Sequence, residues 1–284
     1  MSMYGSQEGM AHIGLVMCDP GDVMLVPNPG YPVFGIGPEL MGAKIETYPL
    51  YKENNFIPNF DDIPEETARK AKFMIISYPA NPVCSVADDE FYEKAIAFAK
   101  KYNVMILHDN AYSDIVFGGK EGKSFLSYPG AMEVGIEFYS LSKSYNMTGM
   151  RISFAIGNKE LIKGLKNIKF SFNSYTINRL SILAGIEAFK DEEYFKESVS
   201  KIIITREKTK EELKKLDFKV LDSKSNFLFI SHNKVFAEDI YLKLKEKGIL
   251  VRYFKQDIIK NFIRVTIGTD EEMAIFIKVL KEII

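Results

Sequence analysis

Up to about Lys190, short continuous apolar runs alternate with segments whose apolar residues recur every three or four positions. The runs predict buried strands and the periodic segments predict amphipathic helices. DVMLV, Asp22 to Val26, reads as a buried strand stopped by the turn-forming PNPGYP; a helix follows from Val33 to Met41 and an alternating strand from Lys44 to Tyr48. FMIIS, Phe73 to Ser77, is a further strand broken by YPANP. Asp88 and Asp89 offer an N-cap to a helix running to Lys101 that buries Phe91, Ala95, Ile96 and Ala99. VMIL, Val104 to Leu107, runs into the polar cluster HDNAY, another strand ends at Tyr139, and one more spans Ile152 to Ile156. Such alternation predicts crossover units and an α/β fold with a mostly parallel sheet sandwiched by helices.

The pattern changes near Lys190. One long charged helix is expected from Glu192 to Leu216, then the strands FKVL and NFLFI, a helix from Val235 to Gly248, the strands ILVRYF and FIRVTIG, and a last helix from Asp270. The expected division is therefore a large α/β domain over 1–191, and over 192–284 a linking helix with a smaller α+β domain. No internal repeat is evident.

Composition narrows the chemistry. The 284 residues carry 37 Lys and Arg against 38 Asp and Glu, a net charge of −1, so neither nucleic acid nor an acidic membrane is the expected partner. No apolar run reaches the ~18 residues of a membrane span, and MSMYGSQEGM lacks the basic start and apolar core of a signal peptide. Cys18 and Cys84 are isolated, which fits a reducing cytoplasm. His12, His108 and His232 lie too far apart in sequence to suggest a metal centre.

In sheets of this type chemistry gathers beyond the carboxyl ends of the strands. Four polar clusters fall at strand ends or helix starts: Asn81 in PANP, Asp109 and Tyr112 in HDNAY, Ser140, Ser142, Lys143 and Arg151 in SLSKSYNMTGMR, and GSQEG at Gly5 to Gly9. Singly, each has an ordinary reading. The Asp is then a cap or turn former, the Lys is solvated, and GSQEG is a plain helix start with Ser6 as N-cap and Gly9 as filler. Together they fit one chemistry. A lysine can hold an aldehyde cofactor as a Schiff base, and a buried carboxylate such as Asp109 can keep a pyridine nitrogen protonated. Asn81 and Tyr112 can donate to the ring's phenolic oxygen. Ser140, Arg151 and the GSQEG amides can hold a phosphate. Tyr31, after the first of these strands, is a candidate ring-stacking aromatic, and Lys143 is placed to move a proton as base and then acid.

These motifs, with VPNPGYPVF, HDNAYSDIVF, SNFLFI and FIRVTIGTDEEM, run in order along essentially the whole chain, which resembles the class I/II, fold type I, pyridoxal-phosphate-dependent aminotransferases. The resemblance implies Lys143 as the Schiff-base lysine, Asp109 as pyridine partner, and Asn81 and Tyr112 at the phenolic oxygen. It implies Ser140, Ser142, Arg151 and the Ser6–Gln7 backbone at the phosphate, and Arg264 on the substrate α-carboxylate. It also implies a ping-pong reaction between an amino acid and a 2-oxo acid in a homodimer. The first half is similar to the aminotransferases of diaminopimelate, aspartate and alanine, and the second half to histidinol-phosphate aminotransferase. In that last family both arginines of the pattern, here Arg252 and Arg264, bind anions; the plain reading of Arg252 is a solvent-facing strand residue.

The chain departs from the family in four places. GSQEG begins at residue 5, where family members carry a preceding arm and substrate-covering helix, so part of the lid and dimer contact is expected to be missing. The N-P-T-G turn reads Asn81-Pro82-Val83-Cys84; a positive φ at that fourth position makes the Cys side chain cost about 1 kcal/mol or more. The tryptophan usual before Arg151 is Met150, and the small residue usual after Ile152 is Ser153. Two other readings therefore stand beside the aminotransferase: a non-catalytic or weakly active cofactor-binding remnant, and a lyase of the same fold.

Overall fold

The computed structural model describes residues 1–115 and 123–284, so the Val116–Phe117 end of the HDNAYSDIVF motif lies outside the described residues. The chain forms two compact units, Met1–Asn81 with Val86–Asp191, and Pro82–Ser85 with Glu192–Ile284. Grouping Pro82–Ser85 with the second unit is a feature that a division by chain order does not foresee.

The first unit holds a seven-stranded sheet. Its strands are β1 (Ser2–Tyr4), β2 (Val23–Asn28), β3 (Lys44–Pro49), β4 (Ala71–Ile76), β5 (Met105–Asn110), β6 (Gly135–Ser140) and β7 (Ile152–Gly157). They lie in the order β1-β7-β6-β5-β4-β2-β3. The pairs β2–β3, β2–β4, β4–β5 and β5–β6 are parallel, and the β6–β7 and β1–β7 pairs are antiparallel. Helices α1 (Ser6–Met17), α2 (Val33–Leu40), α3 (Glu65–Lys70), α4 (Asp89–Tyr102), α5 (Ala131–Val134), α6 (Leu141–Ser144), α7 (Lys159–Phe172) and α8 (Arg179–Lys190) complete it.

The central strands are largely buried because helices cover both faces of the sheet. On one side Met10 and Ile13 of α1 pack with Met24, Phe73, Ile75, Leu107 and Phe138 of the sheet. On the α4 helix the stripe expected from its spacing is buried, with Phe91, Tyr92, Ala95, Ile96, Phe98 and Ala99 all out of water. Asp88 caps that helix by accepting a hydrogen bond from the Phe91 amide at 2.9 Å. The turns after β2 and β4 each contain a cis X–Pro bond, Asn28–Pro29 and Tyr78–Pro79.

The second unit starts with the 24-residue α9 (Glu192–Lys215). β8 (Phe218–Val220), β9 (Phe227–His232), α10 (Ala237–Glu246), β10 (Arg252–Tyr253), β11 (Ile263–Thr266) and α11 (Asp270–Ile283) follow. Its four strands form an antiparallel sheet in the order β10-β11-β9-β8. Leu213, Leu228, Ile230, Leu244, Ile263, Val265, Phe276 and Leu280 make its core. The TDEE segment is a complete capping box, Thr269 and Glu272 each bonding the other's backbone N–H. Among the described residues no helix is long and apolar enough to cross a membrane.

Candidate active site

Strand direction decides where the polar clusters of the first unit go. β2, β4, β5 and β6 are parallel, so their carboxyl ends share one edge of the sheet. That edge receives Tyr31 after β2, Asn81 after β4, Asp109 near the end of β5 with Tyr112 just beyond, and Ser140 at the end of β6. β7 runs the other way, pairing Ser140 with Ser153, so its first residues and Arg151 before them lie at the same edge. β1 reverses again, pairing Tyr4 with Ile152, and delivers the start of α1 there. Residues far apart in the chain thus converge: Ser6, Gln7, Tyr31, Asn81, Asp109, Tyr112, Ser140, Ser142, Lys143 and Arg151. Arg252 and Arg264 belong to the second unit.

Ser140 begins α6 as its N-cap, its Oγ accepting from the Ser142 amide at 3.2 Å. A hydroxyl that accepts in this way still has its own proton to donate. Lys143 follows in the same short helix and is exposed. The loop beyond is tied back by the Thr148 hydroxyl, which donates to the Ser142 carbonyl at 2.9 Å. Arg151 has a φ of +56°, a left-handed conformation that few non-glycine residues adopt. Its guanidinium donates to the carbonyls of Thr148 at 3.2 Å and Tyr4 at 3.4 Å, and lies 5.4 Å from the centre of the Tyr4 ring.

Gly5, not Ser6, occupies the N-cap of α1, with a φ of +79° and no side chain to cap with. A Cβ on Gly5 would lie 1.9 Å from the Arg151 Nη2, so only glycine lets this guanidinium sit at the helix start. The Ser6 and Gln7 amides, in the first turn, have no acceptor within the helix. Cation and helix N-terminus together make an anion cradle. The spacing GSQEG hints at it, whereas the contact between Gly5 and Arg151 has no local signal, because the two lie at opposite ends of the first unit's strand sequence.

Asp109 supplies the opposite charge. Burial pushes its carboxyl up to about 6, with the charge of His108 and a hydrogen bond from Ser77 pulling the other way. Its Oδ1 is shut off from water and has no hydrogen-bond partner among the described residues. A buried carboxylate oxygen left without a donor is costly, and calls for one. A protonated pyridine nitrogen is such a donor. The orphaned oxygen and the cradle at Gly5 both fit pyridoxal phosphate, one at the ring and one at the phosphate.

Tyr112 is buried, Asn81 half-buried and Tyr31 exposed, its ring edge-on to Phe34 at 5.8 Å. Tyr139, on β6, donates its hydroxyl to Asp114; burial and that neighbouring carboxylate push the phenol well above its ordinary range. In the second unit Arg264 lies 5.0 Å from the Phe227 ring centre and 6.0 Å from that of Phe254, and Arg252 stands 5.5 Å from Phe254. Cys84 has a φ of +68° and is fully buried, and burial pushes its thiol up to about 12. The conditional strain read from the turn motif is therefore present. Among the described residues no group of three His, Cys, Asp or Glu is placed to hold a metal ion.

Residues 2–280 match the family described as Aminotransferase class I and II. The chain is 47% identical over 280 residues to a histidinol-phosphate aminotransferase of Brachyspira hyodysenteriae, covering 99% of this chain and 76% of that protein. It is 46% identical over 193 residues to an LL-diaminopimelate aminotransferase of Syntrophobacter fumaroxidans, covering 68% of this chain but only 50% of its relative. Among solved structures, a probable N-succinyldiaminopimelate aminotransferase of Thermus thermophilus superposes with a TM-score of 0.91 at 29% identity, over all of this chain and 77% of that one.

Proposed function

This chain belongs to the class I and II aminotransferase family, whose cofactor is pyridoxal 5′-phosphate, and from that premise we propose that it moves an amino group from an amino acid or amino-phosphate compound to a 2-oxo acid. The observation that carries the reading is the convergence of Asn81, Asp109, Tyr112, Lys143 and Arg151 on the edge where α1 begins. Bound pyridoxal phosphate supplies an aldehyde that captures amines and a ring that stores the electron pair released at the substrate α-carbon.

The chain's residues do the rest. Lys143 Nζ would anchor the cofactor's aldehyde carbon and, once free, would serve as the base that takes the Cα proton and the acid that returns it at C4′. Asp109 keeps the ring nitrogen protonated by placing a carboxylate against it. Asn81 and Tyr112 would donate to the phenolic oxygen, and Tyr31 would offer its ring as a stacking partner. Arg151, Ser140, Ser142 and the Ser6 and Gln7 amides hold the phosphate. Arg264 takes the substrate α-carboxylate, and Arg252 a second anionic group. A homodimer in the cytoplasm completes the proposal; the family's habit supports the first, and two free cysteines without a disulfide support the second. The relatives cited above are named aminotransferases, which favours transamination over a lyase or an inactive remnant.

The test is an absorbance titration with pyridoxal phosphate, followed by borohydride reduction and peptide mapping. A band in the imine region, roughly 360–430 nm, fixed by reduction onto Lys143 and lost on adding an amino donor, is the expected result. No band, or label scattered over surface lysines, would end the proposal.

A further inference from the structure

Directly behind Asp109, on the opposite face of β5, lies a buried polar cluster that the reaction as described does not use. Successive residues of a strand point to opposite faces, so His108 and Asn110 face α4 while Asp109 faces α1. The His108 ring is wholly buried and Glu137, its register partner on β6, nearly so. The His108 Nδ1 lies 3.0 Å from the Glu137 Oε2, and its Nε2 lies 3.1 Å from the Tyr78 carbonyl oxygen. Glu137 also accepts from the Asn110 amide at 3.0 Å, the Ser124 hydroxyl at 2.9 Å and the Phe125 backbone N–H at 2.9 Å.

Donor and acceptor chemistry then limits the protonation states. The Tyr78 carbonyl can only accept. Glu137 faces three other donors, an arrangement that suits the ionised carboxylate and leaves no room for a carboxyl proton on Oε2. A neutral imidazole has one N–H and would turn a lone pair toward one of these two acceptors. The doubly protonated ring satisfies both. The other titratable groups packed round it are the phenols of Tyr78, after β4, and Tyr92, on α4, whose ring is edge-on at 5.7 Å. Burial pushes both phenols up, so both stay neutral.

We propose that His108 and Glu137 form a buried ion pair in which the His108 imidazolium is the positioning residue that keeps Asp109 ionised for the cofactor ring. His108 is the member of the pair next to Asp109 in the chain, and its charge acts on that carboxyl, whereas Glu137 stands on the neighbouring strand opposite His108. The same ring braces the Tyr78 carbonyl, three residues before Asn81, so one side chain ties together the two strand ends that carry Asp109 and Asn81. The inference rests on the reading of Asp109 as partner of the ring nitrogen.

Nitrogen-15 spectra of the unaltered full chain, labelled at histidine, decide the first part: both His108 ring nitrogens should report protonation at pH 7, and a neutral tautomer pattern would overturn the proposal. For the second part, the Asp109 carboxyl is titrated by carbon-13 NMR in the cofactor-free protein, assigned by its absence in Asp109→Asn. His108→Gln should move its midpoint up by about one unit. The double variant His108→Gln/Glu137→Gln, which removes both charges but can keep amide hydrogen bonds, should do the same if the single variant folds poorly. An unmoved midpoint in a folded variant means His108 is structural only. In the holoenzyme, nitrogen-15 pyridoxal phosphate should lose its ring proton at lower pH in His108→Gln than in wild type. A wild-type chain that takes up no pyridoxal phosphate would refute the aminotransferase reading while leaving the Asp109 titration to judge His108.

Discussion

Arg252 and Arg264 stand directly opposite each other across the β10–β11 pair, both near the face of Phe254. Like charges at such positions repel by about 0.2–1 kcal/mol, a repulsion that an anion placed between them would offset. On the proposed reading Arg264 meets the substrate α-carboxylate and Arg252 a second anionic group. Arg264→Lys keeps the charge but loses the planar fork that grips a carboxylate with two parallel bonds. We expect its KM for the amino-acid substrate to rise about 10–100-fold, from the ~1.5–3 kcal/mol of a charged hydrogen bond, with a smaller change in kcat. Arg252→Gln should stabilise the protein slightly and raise KM only for substrates with a second anionic group. Equal loss on all substrates would remove the distinction.

Asp109 sets a pH dependence of unusual sign. Its carboxyl titrates near 6 in the folded cofactor-free protein, against an ordinary value of 3.8. Between those values the unfolded chain has released the proton and the folded chain still holds it, so stability falls as pH rises. The loss is complete above pH 6 and reaches up to about 3 kcal/mol. Asp109→Asn should therefore make the cofactor-free protein more stable than wild type at pH 7.5 and indistinguishable near pH 3.5. Urea melts at the two pH values measure it. With pyridoxal phosphate present the order should reverse, because the wild-type carboxylate then gains a partner that Asn cannot replace. An Asn variant no more stable at pH 7.5 without cofactor would contradict the burial argument.

How far the sequence reached depends on the range of the interaction concerned. The strands Phe73 to Ser77 and Val104 to Leu107, and the helix capped by Asp88, were legible because apolar period and capping chemistry are local. The convergence of Asn81, Asp109 and Lys143 was legible too, once a parallel sheet was inferred, because parallel strands put their ends at one edge. The three-residue strand β1 and its pairing with β7 were not: Ser2–Tyr4 has too few residues for a pattern, and its partner lies some 150 positions away. The same holds for Gly5 against Arg151. His108 stood in plain view beside Asp109, yet its meaning depends on Glu137, which only sheet register brings opposite it.

Cys84 tests the turn. At a φ of +68° any side chain is strained relative to glycine. Its buried Sγ approaches the carbonyls of Pro82 at 3.6 Å and Phe227 at 3.8 Å, so the thiol fills space that its removal would empty. Comparing Cys84→Gly with Cys84→Ala isolates the backbone, since neither variant has the sulfur. The Gly variant should be the more stable by about 1 kcal/mol, read from urea midpoints under identical conditions. Equal midpoints would show that the turn relaxes around an alanine Cβ.

Gly9 tests the packing of α1, and the ordinary view of it as filler fails on geometry. A Cβ there would lie 2.4 Å from the Phe138 Cε1 and 2.6 Å from the Met3 Sδ. Both side chains are wholly buried, so neither can swing into solvent. The helix must instead lift from the sheet. Overpacking of this kind costs about 1–3 kcal/mol, and Gly9→Ala should lose that much against the control Gly149→Ala, where a Cβ meets no atom within 4 Å. Because α1 carries the Ser6 and Gln7 amides at its start, the same displacement should weaken pyridoxal phosphate binding at temperatures where the variant is fully folded. A Gly9→Ala protein that is less stable but binds the cofactor as tightly as wild type would mean that the helix start stays in place while its middle yields.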